Sequence, residues 1–544
     1  MKTLKTVTLL ASKQQTTARA FSTTTLITSQ KCPHLNSESS SETSTLNKQP
    51  LKRFDEMPGP KGLPVLGNAL ELAKHANNPV QYFTELAAKY GDMVRTRVFN
   101  EKMVLLSDPQ LARVLSREEE GRITLKAGRH YSLDRGYPLI PLFAYTHENW
   151  NDMRQVLNVA MKPQFVNEII LPQLTELNSD LLQDIIKHFK FDKERQQFYI
   201  EDPNRDVTSP YAFGSVLKSI LGGRLSKEKL SQFGFTVRQF IDDGNVGADL
   251  ITKLQYLPQI YKYYKTKDYK EFERVLDLTH TRVERMMELY KENESGKARL
   301  VEYFEERAKE SNMDSKCVGA CTGALFNAGT DVTAKVLAIL LYRVANEKDY
   351  ADRMYEELVT VFGEPTLDEI TSENGLVVTS EDLKQLRLCK NFIDEVLRVD
   401  HIIPIRNTRY LSKDIELGGY LLEKGTLISF LDELNTQSKY VPRGCEFLPD
   451  RHEKGSDLSE PKGYLGPFGR GARKCPGERV AGIEVYLTLI NVVRHFKLAH
   501  SNGDQFPPLS ADKSMMFMDA SKYRLFFTPR DHLINHLKQL NKYQ

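Results

Sequence analysis

Ten residues near one end of the chain, Phe468-Gly469-Arg470-Gly471-Ala472-Arg473-Lys474-Cys475-Pro476-Gly477, constrain it more than any other stretch. Glycines stand on both sides of one cysteine, two arginines precede it, and a long apolar segment follows. The pattern predicts a helix starting immediately after Cys475. Pro476 suits the first helical position, where its missing N–H costs nothing. Glu478 then falls in the first turn, and Val480, Ile483, Leu487 and Ile490 recur at helical spacing. A sulfur at that helix start faces unpaired backbone N–H groups and the positive end of the helix dipole, which favours thiolate over thiol. Gly471 and Gly477 let the backbone approach a flat ligand closely.

One thiolate does not make a zinc site, which normally takes three or four protein ligands. It does suffice as the single axial ligand of a haem iron, where its electron donation favours O–O cleavage. The stretch resembles the cysteine-loop pattern F-x-x-G-x-R-x-C-x-G of cytochrome P-450 haem-thiolate enzymes at every fixed position. The resemblance implies haem b (iron protoporphyrin IX) with Cys475 as its iron ligand, Phe468, Gly471 and Gly477 in the loop around it, and Arg473 within the loop as a propionate-binding arginine. It also implies the cytochrome P-450 fold, mainly α with a smaller β region (α+β).

Composition agrees with a large globular body: 544 residues, 40% hydrophobic and 27% charged. A formal net charge of +3 argues against nucleic acid as a partner. The six cysteines include no C-x-x-C pair, which suits a reducing compartment rather than a disulfide framework or zinc ribbon. From Met1 to Ser37 there is no acidic residue, while Lys2, Lys5, Lys13, Arg19 and Lys31 are basic and Ser and Thr abound. That profile predicts a mitochondrial transit peptide over residues 1–37, and Arg19-Ala20-Phe21-Ser22 resembles a matrix-peptidase site. Residues 1–37 lack the ~20 continuous apolar residues of a spanning helix, an anchor that microsomal members of the family carry. Residues 38–57 read as a polar linker. Pro58-Gly59-Pro60 and Pro64 form a stiff lead-in to a haem-thiolate domain over 58–544.

Along the chain, Pro79 to Tyr90 predicts a helix stopped by Gly91, and Met93–Phe99 with Lys102–Ser107 a hairpin. Helical patterns dominate to about Lys348, and strand signals return near Thr408–Ser429. Trp150 and Arg154 share a helix face; in the family such a W-x-x-x-R pair binds a haem propionate. Lys253–Lys270 interleaves tyrosines with lysines, which fits either an interfacial membrane contact or a solvated helix pair with a buried tyrosine stripe. Gly319 to Val344 predicts one long, largely apolar helix. Its Ala328-Gly329-Thr330-Asp331 resembles the family's A-G-x-D segment, with Gly329 expected to mark a local widening and Asp331 to supply protons. The family then places a threonine, whereas this chain has Val332, with Thr333 one step on. That step turns a helix by ~100°. Thr330 or Thr333 through a shifted bulge, or a hydroxyl of the substrate, would replace the missing group. Otherwise the enzyme does not activate O₂ at all.

Glu395, Arg398 and Arg451 resemble the E-x-x-R and F-x-P-x-R motifs that form a buried structural network in the family. Arg409, with Arg406 as rival, matches a propionate-binding arginine. Lys390 and Arg479 match half of the cationic pairs that dock a ferredoxin in mitochondrial members; Asp394 and Glu478 stand in for the other half. The resemblance therefore implies a monooxygenase on the matrix side of the inner mitochondrial membrane, held there peripherally. Using O₂, it would hydroxylate a lipophilic, sterol-like or other hydrophobic small molecule. Electrons would come from NADPH through a ferredoxin reductase and an iron–sulfur ferredoxin. Ile402, Ile403, Ile405 and Met515–Met518 are the pocket candidates. The alternatives are a haem-thiolate isomerase or dehydratase that needs no redox partner, and a non-catalytic haem or lipid-binding protein.

Overall fold

One helix of 31 residues, α9 (Lys316–Asn346), organises the molecule: Val336 to Leu341 along it are buried, most of them completely. The computed structural model describes residues 50–75, 79–118, 126–136, 154–155, 157–158, 161–222, 232–256, 259–291, 300–313, 316–373, 375–400, 402–403, 405–431, 440–459, 466–500 and 523–543. All lie in the compact unit Asn47–Gln544. The expected transit peptide and nearly all of the expected linker lie outside the described residues.

Among these residues, the helices of nine or more residues before α9 are α1 (Pro79–Tyr90), α2 (Pro109–Glu118), α3 (Lys126–Arg135), α4 (Asn178–Lys187), α5 (Ser209–Leu221), α6 (Val237–Tyr256), α7 (Lys267–Lys291) and α8 (Leu300–Glu310). After it come α10 (Lys348–Phe362), α11 (Arg387–Val399), α12 (Glu478–His495) and α13 (Asp531–Gln539). The strands are short and form three sheets. In the first, β2 (Met93–Val98) and β3 (Glu101–Leu106) make the expected hairpin; β3 runs parallel to β9 (Leu427–Leu431), which pairs antiparallel with β6 (Ile405–Tyr410). The second is antiparallel: β4 (Lys190–Asp192), β5 (Gln197–Ile200), β11 (Leu525–Pro529) and β10 (Phe496–His500). The third joins β1 (Lys52–Arg53) to β8 (Tyr420–Leu422) and β7 (Ile415–Leu417).

Local chemistry sets the boundaries. Gly91 takes a φ of +102° and ends α1 where a side chain would be strained. Glu357 on α10 accepts the Leu388 and Cys389 N–H groups at 2.7 and 3.0 Å, capping α11 from another helix. The largest core cluster collects the second half of α9 with α4, α11, α12, β5, β10 and β11. Each fully buried Leu or Ile there contributes about 1.5–3 kcal/mol.

Two expectations are corrected. Helix α12 begins at Glu478, not at Pro476, because Pro476 and Gly477 form a turn and the Gly477 and Glu478 N–H groups donate to the Cys475 sulfur. And α9 is continuous α-helix with no widening at Gly329. The glycine instead admits α5: a Cβ there would lie 2.7 Å from Val216 Cγ2. Among the described residues, Cys317, Cys321, Cys389 and Cys475 are thiols.

Candidate active site

The loop before α12 folds back on itself. The Cys475 N–H donates to the Phe468 carbonyl at 2.9 Å and the Lys474 N–H to Gly471 at 3.1 Å, closing a tight hairpin around the glycines. Gly471, at φ +75°, lies against α2, where a Cβ would come within 2.4 Å of the Ser116 carbonyl oxygen. A Cβ on Gly477 would sit 3.9 Å from the Cys475 sulfur. Phe468 and Arg473 are half-buried flanks of the loop.

Cys475 itself is exposed, yet protein surrounds it closely enough that burial is the largest influence on its thiol. The sulfur therefore faces an internal space. Burial pushes the thiol up, against the Gly477 and Glu478 N–H groups and the Arg154 guanidinium, which favour the thiolate. Coordination to a metal ion would favour the deprotonated sulfur. Burial likewise lowers the Arg154 guanidinium, opposed by the charge of the Cys475 thiolate form. Trp150, the expected partner of Arg154, lies outside the described residues, as do Met515–Met518. Arg409 is buried on β6 with its guanidinium 5.5 Å from the Phe430 ring centroid. Ile402 is buried in the main core and Ile403 is partly buried against it; the Ile405 and Arg406 side chains are outside the description.

Across from this loop, α9 packs on α12. In the middle of an otherwise buried helix, Ala328 is exposed, with Leu325 and Val332 on the same face partly so. An accessible sulfur closely surrounded by protein, and an accessible alanine on the helix that packs on α12, suit a flat ligand. The residues present therefore fit a haem.

The acid and its neighbours are arranged as follows. Asp331 is ion-paired to Lys335, 2.8 Å from Nζ and one turn on, a partner that no sequence motif had indicated. Thr333 is buried and hydrogen-bonds Glu484 on α12, not Asp331. Glu484 also accepts a short hydrogen bond from Ser215 on α5. With no cation beside it, burial raises its carboxyl to about 7. Thr330 is buried with its hydroxyl unbonded to protein.

Glu395, Arg398 and Arg451 are brought together and are almost wholly buried. Glu395 accepts two hydrogen bonds from Arg398 at 2.7 Å, one from Arg451 at 3.2 Å and one from the Leu448 N–H at 2.7 Å. His452, missed in the sequence, adds a fourth partner at 2.9 Å. Burial would raise the Glu395 carboxyl, but these donors hold it at about 2. On the surface, Lys390 pairs with Asp394 and Lys474 with Glu478, while Arg470 and Arg479 are exposed. The Lys253–Lys270 stretch divides: Tyr261 and Tyr269 stack, buried, at 4.7 Å, whereas Tyr263 is 93% and Tyr264 70% exposed.

The sequence profile described as Cytochrome P450 matches residues 57–527. Similar proteins include "Cytochrome P450 10" of Lymnaea stagnalis, 23% identical over 92% of this chain and 91% of its own length. "Probable cytochrome P450 12b2, mitochondrial" of Drosophila melanogaster is 26% identical over 65% of each chain. "Cytochrome P450 27C1" of Danio rerio is 24% identical over 88% of each. With the motifs in place from the lead-in to the last strand, the chain belongs to the cytochrome P450 family of haem-binding monooxygenases.

Proposed function

We propose a mitochondrial monooxygenase that hydroxylates a lipophilic substrate at the matrix face of the inner membrane, with NADPH-derived electrons delivered by a ferredoxin. The observation that carries this reading is the Cys475 sulfur, accessible inside the protein at the start of α12. Cys475 would be the axial ligand, and Arg154, Arg409, Arg473 and Trp150 would hold the propionates by charge-assisted hydrogen bonds. Haem b, when bound, supplies dioxygen cleavage and oxygen insertion, which the axial thiolate promotes. Asp331 holds and passes on the protons that cleavage consumes. Leu325, Ala328 and Val332 present an apolar, water-excluding face to the substrate.

Membrane contact is supported by Tyr263, Tyr264 and the 40% exposed Ile260, which lie among lysines. The donor is supported by exposed Arg470 and Arg479 beside the cysteine loop. Because Asp394 already neutralises Lys390, docking of an acidic ferredoxin would centre on those arginines, with charge chiefly setting its on-rate. A mitochondrial location is supported by the acid-free first 37 residues and by the mitochondrial relative.

The test uses the full chain with haem incorporated, a mitochondrial lipid extract, NADPH, ferredoxin reductase, ferredoxin and oxygen-18 labelled O₂. Label in lipid products that requires all three electron-chain components supports the reading. Label supported equally by a diflavin reductase and not by ferredoxin overturns the donor assignment. Unlabelled products formed without NADPH would replace hydroxylation by isomerisation.

A further inference from the structure

The Asp331 carboxylate is held by a group outside the family motif. Lys335 Nζ contacts both Asp331 oxygens, at 2.8 and 3.0 Å, and the two side chains are 14% and 17% exposed. Acid before base at i,i+4 is the favourable order on a helix. The same ammonium donates to Asn245 Oδ1 on α6 at 3.4 Å. One turn back on α9, the buried Asn327 Oδ1 has no hydrogen-bond donor among the described residues and lies opposite Gly244, where a Cβ would be 3.6 Å away. Asn327, Asp331 and Lys335 thus form a polar stripe facing residues 244 and 245. The neighbouring Asp243 is tied to α7 by Arg274 at 3.1 Å and Arg282 at 2.8 Å. Helix α6 ends at Tyr256, a few residues before the exposed Ile260, Tyr263 and Tyr264.

We propose that Lys335 is a positioning residue for Asp331, and that Asn245 makes this positioning depend on where α6 lies. Lys335 keeps the carboxylate turned toward α6. Asn245 and Asp331 both draw on the same ammonium. A shift of α6, which ends a few residues before the exposed tyrosines, changes that balance and with it the placement of the acid. The inference rests on Asp331 as the proton donor of the proposed reaction.

The full-length holoenzyme is compared with K335M, K335R, N245A, D331N and the D331N/K335M pair. The readouts are product formed per NADPH consumed, KM, and thermal unfolding. K335M is expected to lower product per NADPH about 10-fold with KM within about twofold. K335R should recover at least half of the loss, and K335M should add nothing in the D331N background. N245A, which removes no charge, should give the same split at roughly a third of wild-type coupling. Without any turnover, unfolding of the four proteins in the cycle should be non-additive. K335M and N245A that both leave coupling at wild-type level, while D331N lowers it, would overturn the positioning role alone. A harmless D331N would remove Asp331 as the donor, and the positioning role with it.

Discussion

Val332, half-buried against the main core, directly follows Asp331, where the A-G-x-D resemblance leads one to expect a threonine. Thr333, a hundred degrees or so round the helix, is committed to Glu484, and the continuous helix provides no bulge to bring it back. V332T is therefore expected to raise product per NADPH several-fold, short of the ~10²–10⁴ of a complete acid–base contribution. Unchanged or poorer coupling, measured as NADPH consumed against product, would sink that expectation. At this scale the sequence was legible where a motif spells out the residue, as at Cys475, Asp331 and Glu395. Lys335, His452 and Glu484 were not, although Lys335 stands at a plain i,i+4 spacing from Asp331. Glu484 reads as one more polar position on an apolar helix, and what makes it unusual is its burial between helices remote in sequence.

Glu484 ties three elements at once, reaching from α12 to Ser215 on α5 and Thr333 on α9. Tyr211, also buried on α5, is pushed up by burial and then by the Glu484 carboxylate. A carboxyl raised from 4.5 to about 7 in the folded state binds its proton more tightly there than in the unfolded chain. Its contribution is fully present below about pH 4.5 and lost as pH rises through about 7. The loss amounts to roughly 3 kcal/mol. E484Q should flatten the fall of the unfolding midpoint between pH 5 and 8, an interval spanning most of that window. A mutant slope equal to that of wild type would show the carboxyl titrating normally. Element boundaries were mostly readable: α1 and the β2–β3 hairpin lie where glycine and alternation place them. The start of α12 was misread because the cysteine sulfur takes two N–H groups that a helix rule leaves to the helix.

Across the whole molecule, the Glu395 network joins α11 to the Pro442–Leu458 segment that precedes the cysteine loop. Arg398 donates to the Gly444 and Glu446 carbonyls, and Arg451 to those of Pro442, Arg443 and Leu458. Removing the Glu395 charge takes from two buried guanidinium groups the carboxylate they share. E395Q should therefore cost about 3–5 kcal/mol, read as a lower urea midpoint together with reduced haem content after purification. A midpoint equal to wild type would mean that the arginines' carbonyl partners suffice. The mainly helical class was legible from the periodicity, but the strand partners were not, since pairing depends on segments hundreds of residues apart.

Those partners have a consequence for how the chain reaches its final form. Each sheet joins strands from the first two hundred residues to strands beyond residue 400: β1 to β8, β3 to β9, and β5 to β11. None of the three can close while the last quarter of the polypeptide is still on the ribosome or on the far side of a narrow channel. Contacts of such long sequence separation form late and slowly. A chain delivered N-terminus first thus stays threadable for most of its passage, and commits to its fold when strand β11 arrives.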